Sequence, residues 1–290
     1  MMNSTASSVA QTQANNPANF TRGGGVDRSL IGELLQLMSS SPDDLRIGPD
    51  MLVAMRRLRA GDTLFHQGAR AEAIYFVRAG TFKTFRIAED GYEQVLGFSG
   101  RAEVLGFDAV CMGQYPTEAV ALEESSVFTV PMPDTMAPGS RFPGLDRMVT
   151  LAASRALTQR GELADVMAAV AAEVRLARFM VQLSRRMEAC GQSPRRFHLR
   201  MSRRDIASHL GVAHETVSRS FHALMRWQLL QVKNREVEIL DMEGLKTLSR
   251  STRRQVDEFG ATDGARRPAT GNGNGHGSLP EAAVAEQFLA

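Results

Sequence analysis

Between Met55 and Pro131 the chain is cut by Gly61, Gly68, Gly80, Gly91, Gly97, Gly100 and Gly106 into short runs rich in β-branched and aromatic residues, among them AIYFVRAG, TFKTFRI, EQVLGF and SSVFTVP. Glycine weakens a helix interior and favours turns, so these runs read as short strands with glycine corners. Short strands at this spacing bury a core only by folding over one another, so the segment predicts an antiparallel β-roll or barrel.

The period changes on both sides of that segment. Leu30, Ile31, Leu34, Leu35 and Met38 recur at helical spacing and predict a short amphipathic helix packed on the roll. After Pro143 the pattern predicts a long helix from Leu145 to about Val170, then a second helix ending near Cys190 and Gly191. The long helix carries two apolar stripes: Val149, Ala153, Leu157, Ala164 and Met167 on one, and Met148, Ala152, Ala156, Leu163 and Val170 on the other. One neighbour does not cover both, so the helix is expected to touch its own roll and a partner subunit, as in a homodimer. An ordinary helix buried within one chain is the competing reading. Arg160 lies beside the first stripe, where two symmetry-related copies repel unless each finds a carboxylate such as Glu162 or Asp165.

Charge is divided along the chain. The net charge of +2 conceals 17 Lys and Arg against 8 Asp and Glu from Ala171 to Arg254, a local +9 that leaves −7 on the rest. A basic third beside an acidic remainder fits a nucleic-acid reader with a separate sensing half, although a merely solvated basic face has the same arithmetic. The two cysteines, Cys111 and Cys190, have no metal-ligand spacing and suggest neither a disulfide framework nor a zinc site. With no apolar run near the length of a bilayer span and no signal-like start, a cytoplasmic protein without membrane contact is expected. Paired carboxylates, a nucleophile beside a base and a phosphate loop are all missing from the pattern, so no enzyme is expected.

The segment MSRRDIASHLGVAHETVSRSFHALMRWQLLQVKNREVEIL holds two apolar-periodic helices around a tight turn at Gly211 and Val212, followed by a hairpin. Ser202 with Asp205 three residues on forms a capping-box pattern. Ile206, Ala207, Leu210, Val217, Phe221 and Leu224 supply a shared apolar seam, with small Ala207 allowing close approach. This is the pattern of a winged helix-turn-helix, a reader of double-stranded DNA. On the outer face of its second helix, His214, Glu215, Ser218 and Arg219 stand where base edges are met. Arg219 can donate twice to a guanine, Glu215 can accept from a cytosine and Ser218 can touch a thymine edge. Arg203, Arg204, Thr216, Lys233 and Arg235 flank them and are expected to bind phosphates. An exposed Glu215–Arg219 ion pair one turn apart is the bland alternative.

From about Leu52 to Leu248 the chain resembles the Crp/Fnr superfamily of transcription regulators, and within it the Fnr/FixK branch. GDTLFHQG, AIYFVRAGTFKTF, EDGYEQVLGF, VLGFDAV, RLARFMVQLSRR and LGVAHETVSR carry the resemblance in order. It implies an α+β fold with an N-terminal antiparallel β-roll of cyclic-nucleotide-binding type, a long dimerisation helix and a C-terminal winged helix-turn-helix. The corresponding division is a disordered leader at 1–28, a sensor roll at 29–143, a dimerisation helix at 144–170, a DNA-binding domain at 171–250 and a flexible tail at 251–290. The branch pattern Glu-x-x-Ser-Arg, here Glu215, Ser218 and Arg219, implies a TTGAT half-site in a TTGAT-N4-ATCAA inverted repeat. Glu89, Asp90 and Gly91 fall where Fnr-like activators touch RNA polymerase, although Asp-Gly is also a strong hairpin signal by itself. Ala213 departs from the Ser or Thr common at that helix start.

Other departures concern sensing. Fnr proteins that hold an iron–sulfur cluster do so with a cysteine group near the N-terminus and another in the roll; residues 1–110 here contain no cysteine, and Phe128 falls at the roll position. The stretches matching a cyclic-nucleotide pocket read Gly106-Phe107-Asp108 and Tyr115-Pro116-Thr117, without the family's Glu and Arg. Neither cofactor is expected. Two options stay open: control by abundance without a ligand, or haem or another apolar ligand in the roll, with His66 as the haem ligand. His66 also reads as a hydrogen-bonded turn residue, and Cys190 as either a redox-sensitive or a reduced structural cysteine. The resulting expectation is a regulator, in the activator sense, of low-oxygen or nitrogen-oxide metabolism. A haem- or small-ligand-responsive module acting through protein contacts is the alternative.

Overall fold

The computed structural model describes residues 26–38, 52–132 and 145–251. The expected leader up to residue 25 and the tail from residue 252 lie outside the described residues. Among the described residues the roll is built from nine strands in two sheets. One sheet has the order β1 (Val26–Leu30), β2 (Leu52–Leu58), β9 (Ser125–Pro131), β4 (Ala73–Ala79), β7 (Val104–Leu105). The other runs β3 (Thr63–Phe65), β8 (Glu118–Ala121), β5 (Phe82–Ile87), β6 (Glu93–Ser99), so that β6 is an edge strand. All pairings are antiparallel.

The core of the roll forms where the runs between glycines turn their bulk inward. Ile74, Phe76, Phe82 and Phe128 are fully buried, and Phe128 sits on β9 between β2 and β4. Tyr115 stacks on Phe65 with ring centroids 4.1 Å apart, and its hydroxyl donates to the Ala73 carbonyl at 2.6 Å, satisfying the polar tip of a buried ring. Helix α1 (Ile31–Leu37) buries Ile31, Leu34, Leu35 and Leu37 as its spacing requires. One expectation is corrected here: Val26 to Leu30, assigned partly to the leader and partly to a helix, is strand β1 paired with β2 from Val26 opposite Arg56 to Leu30 opposite Leu52. Its sequence, VDRSL, has no clean alternation, and the partner strand makes it extended.

Helix α2 (Leu145–Ala168) comes next, breaks at residues 169–171, and gives way to α3 (Ala172–Ala189). Arg175 braces the break: its guanidinium donates to the carbonyls of Ala169 at 2.7 Å and Leu210 at 2.9 Å. The final domain comprises β10 (Arg196–His198), α4 (Arg203–Leu210), α5 (His214–Arg226), β11 (Leu230–Lys233), β12 (Glu236–Ile239) and α6 (Met242–Arg250). Its sheet order is β10-β12-β11.

Candidate nucleic-acid interface

The Ser202 hydroxyl accepts from the Asp205 N–H at 3.1 Å, and the Asp205 carboxylate accepts from the Ser202 N–H at 3.0 Å. This capping box starts α4 where the sequence places it. At its far end Gly211 takes φ 62° and ψ 40°, and its N–H returns to Ala207 and Ser208. The left-handed turn requires glycine, whereas the Met167 Cε that a Cβ here would meet at 2.8 Å is the free end of a flexible side chain and can move aside. Ile206, Ala207, Leu210, Val217, Phe221 and Leu224 are all buried, as the seam requires. Ala213 precedes α5 in extended conformation and makes no side-chain cap, as expected from its missing hydroxyl.

With its inner face in that seam, α5 turns His214, Glu215 and Arg219 to solvent, while Thr216 and Ser218 are half-buried. Among the described residues Glu215 and Arg219 form no ion pair. The Arg219 guanidinium instead donates to the Thr216 hydroxyl at 3.4 Å, and the Ser218 hydroxyl donates to the His214 carbonyl at 3.3 Å. These contacts are long, local and easily exchanged for base edges.

The flanking basic residues divide. Lys233 and Arg235 are exposed at the tip of the β11–β12 hairpin, whose turn residues Asn234 and Arg235 both take positive φ, 48° and 68°. Arg204 is exposed. Arg203, expected from the sequence to bind phosphate, is half-buried, with its guanidinium carbon 3.3 Å from the Phe221 ring centroid and its Nη1 buried without a hydrogen-bond partner. Burial, with a smaller contribution from Arg235, pushes it down to about 10, so it stays charged at neutral pH. The fold thus brings the start of α4 and the wing tip together around a cation that packs on an aromatic ring.

Other sequence-selected residues lie away from this surface. Glu89, Asp90 and Gly91 form the exposed β5–β6 turn, where the Asp90 carboxylate accepts from the Tyr92 N–H at 3.0 Å. On α2, which also contains Val149, Ala153 is half-buried while Leu157, Ala164 and Met167 are exposed, Leu157 at 70%. The second stripe turns inward at buried Ala152 and half-buried Ala156 and Leu163, while Val170, which the spacing counts with it, lies beyond the helix end and is 69% exposed. Arg160 pairs with neither expected carboxylate. Its nearest acid is Asp108 of the 3-10 turn Phe107–Ala109, at 3.8 Å, while Glu162 is taken by Arg186 at 3.3 Å. His66 is largely exposed and lies 3.4 Å from Glu118. The Cys190 thiol points to the Arg101 carbonyl at 3.9 Å, and burial, followed by the Glu103 charge, pushes it up, away from the reactive thiolate form.

Sequence reading missed a second cluster, where the DNA-reading unit meets the roll. His209 is buried between Phe98 of β6 and Phe179 of α3, with ring centroids 5.2 and 5.5 Å away. Lys83 of β5 bonds Glu93 at 2.9 Å and Asp205 at 3.0 Å. Lys83 and Asp205 are 122 residues apart, and no local pattern could have linked them.

The family model for the cyclic nucleotide-binding domain matches residues 55–137, and that for the Crp-like helix-turn-helix domain matches residues 174–248. The chain is 35% identical over 223 residues to the transcriptional activator protein FnrA of Stutzerimonas stutzeri, covering 77% of this chain and 91% of that protein. It is 34% identical over 196 residues to the fumarate and nitrate reduction regulatory protein of Escherichia coli K12, covering 68% and 78%. The structure of FixK2 from Bradyrhizobium japonicum superposes with a TM-score of 0.62 at 22% identity, over 70% of this chain and 100% of that one, a likeness of fold.

Proposed function

The chain belongs to the Crp/Fnr family of transcription regulators, and from that premise we propose that it works as a cytoplasmic homodimer, an activator that reads a TTGAT-N4-ATCAA inverted repeat. The observation that carries this reading is the outward face of α5. Glu215, Ser218 and Arg219 stand there one helical turn apart, beside His214, on a helix whose other side is locked in the seam. In the dimer, two such helices about 34 Å apart enter successive major grooves. Arg219 takes a guanine, Glu215 a cytosine N4 and Ser218 a thymine edge. Arg203, Arg204, Thr216, Lys233 and Arg235 hold phosphates and set the register. Val149, Ala153, Leu157, Arg160, Ala164 and Met167 form the dimer seam, and the exposed Leu157 supports that role.

The Glu89–Asp90–Gly91 turn presents two carboxylates at an exposed tip and is assigned to RNA polymerase, whose basic patches such a turn complements. The signal belongs to low-oxygen or nitrogen-oxide metabolism. Regulation proceeds without an iron–sulfur cluster, since the thiolates such a cluster needs are missing from residues 1–110, and without a cyclic nucleotide. No helix among the described residues is long and apolar enough to cross a membrane. A second reading, a small-ligand-responsive module acting through protein contacts, draws on a cavity of about 820 Å³ between the roll and α2 whose walls include Leu105, Leu157 and Leu163. Haem in that role would colour the protein, and a featureless visible spectrum after expression with haem supply removes it.

The test is fluorescence anisotropy on the inverted repeat and on a scrambled duplex at physiological salt. Arg219→Ala should lower discrimination at the half-site guanine by about 1–3 kcal/mol. Lys233→Ala should weaken every duplex alike and reduce the salt slope by about 1. Equal affinity of the wild-type protein for both duplexes overturns the reading.

A further inference from the structure

The face of α4 opposite the seam is occupied. Ser208 turns its hydroxyl onto the free edge of β6, where it donates to the Glu93 carbonyl at 2.8 Å and accepts from the Val95 N–H at 2.9 Å. One side chain thereby satisfies two backbone groups that an edge strand leaves open. One turn earlier, the Asp205 carboxylate meets Lys83 at 3.0 Å while its other oxygen takes the Ser202 N–H and hydroxyl of the helix cap. One residue later, His209 fills the space between Phe98 and Phe179. Lys83 is only 13% exposed and lies 4.7 Å from the Phe85 ring centroid, so the ion pair is sheltered from solvent.

We propose that Lys83, Asp205 and Ser208 form a clasp between the sensor roll and the helix-turn-helix that holds the DNA-reading helix in its working orientation; this rests on the DNA-reading function proposed above. The three faces of the reading unit do not overlap. Ile206, Ala207 and Leu210 face the seam, Asp205, Ser208 and His209 face the roll, and His214, Glu215 and Arg219 face solvent. DNA and the roll therefore use different side chains, and the clasp closes without covering the reading surface. The chain breaks at residues 169–171, where Arg175 braces it, and the clasp adds to that brace and to the bonds of Arg186 to the Phe98 carbonyl and of Arg200 to Glu123 in fixing the domain against the roll. A swinging reader meets its half-site only in the fraction of time it points correctly, and apparent affinity falls by that fraction. The clasp raises that fraction and acts as a positioning device for Glu215, Ser218 and Arg219, touching no base itself.

The test uses the full chain, with Ser208→Ala, Lys83→Met and the double variant, and two readouts. Hydrogen exchange at the Val95 amide reports the clasp, and anisotropy on the inverted repeat and a scrambled duplex reports reading. The expected result is faster exchange at Val95 in the Ser208→Ala variant, unchanged exchange within the Ile206–Leu224 seam, and about tenfold weaker binding of the inverted repeat by the double variant. Tighter or unchanged binding with a freed Val95 amide overturns the proposal by making the contact inhibitory or idle. Unchanged exchange overturns it by removing the clasp. If the wild-type protein fails to distinguish the duplexes, the function itself falls, and exchange at Val95 tells that failure apart from loss of the clasp.

Discussion

Acidifying the protein from pH 7 to pH 5 places a proton on a free histidine but not on His209. Its ring is buried between two phenylalanines, with Nδ1 lacking a partner. Burial, and after it the nearby Arg186 charge, push His209 down to about 4 from the ordinary 6.5, against a hydrogen bond with the Val95 backbone. The unfolded chain therefore takes up the proton first. Stability from this residue is full above about pH 6.5 and is lost as pH falls toward 4. Linkage with these two values gives a loss of about 2 kcal/mol between pH 7 and pH 5, and about 3 kcal/mol in the limit. Other groups act in parallel: burial pushes the Glu103 and Asp108 carboxyls up, which favours the fold as pH drops. The Asp205 carboxyl, pushed up by burial but held lower overall by Ser202 and Lys83, acts in the other direction at still lower pH. His209→Gln cancels only the first contribution. Urea denaturation of both proteins at pH 7 and pH 5 should show the wild-type protein losing about 2 kcal/mol more than the variant, at unchanged m-value. Parallel losses in the two proteins would refute the buried, neutral imidazole.

Three further outcomes rest on the geometry. Ala213→Ser supplies the missing cap of α5 at a residue already extended, and should stabilise the domain by about 1 kcal/mol, read as a higher melting temperature. Gly211→Ala forces a Cβ into φ 62°, and should cost about 1 kcal/mol in the same assay. Leu157→Asp places a charge on the exposed stripe of α2 in both copies of the proposed dimer. It should weaken self-association about a hundredfold or more in sedimentation equilibrium, and an unchanged dimer would remove this stripe from the interface.

The helix-turn-helix was legible because its signals are local. Ser202 with Asp205, Gly211 and the apolar residues from Ile206 to Leu224 lie within one short stretch and repeat at 3.6 residues. The roll was legible through its glycine corners. Pairings decided by distant chain were not. Strand β1 is extended because β2 lies beside it, Arg160 finds Asp108 because the 3-10 turn is folded against α2, and His209 is buried because the roll arrives from another part of the chain. Arg203 was placed among the phosphate contacts by charge alone, whereas its seat on Phe221 depends on the packing of α4 against α5. The sequence pattern reports which face of an element is apolar, and not which neighbour comes to cover a polar one.

The position of β6 at the rim of its sheet has a practical corollary. Cutting the chain after α2 would strip away the Ser208 hydroxyl and lay bare the Glu93 carbonyl and Val95 amide on a strand that also carries Phe98. Bare rims of this kind recruit strands from other molecules. An excised roll should therefore precipitate or self-associate more readily than the intact chain, in which the helix-turn-helix domain shields the rim of the roll.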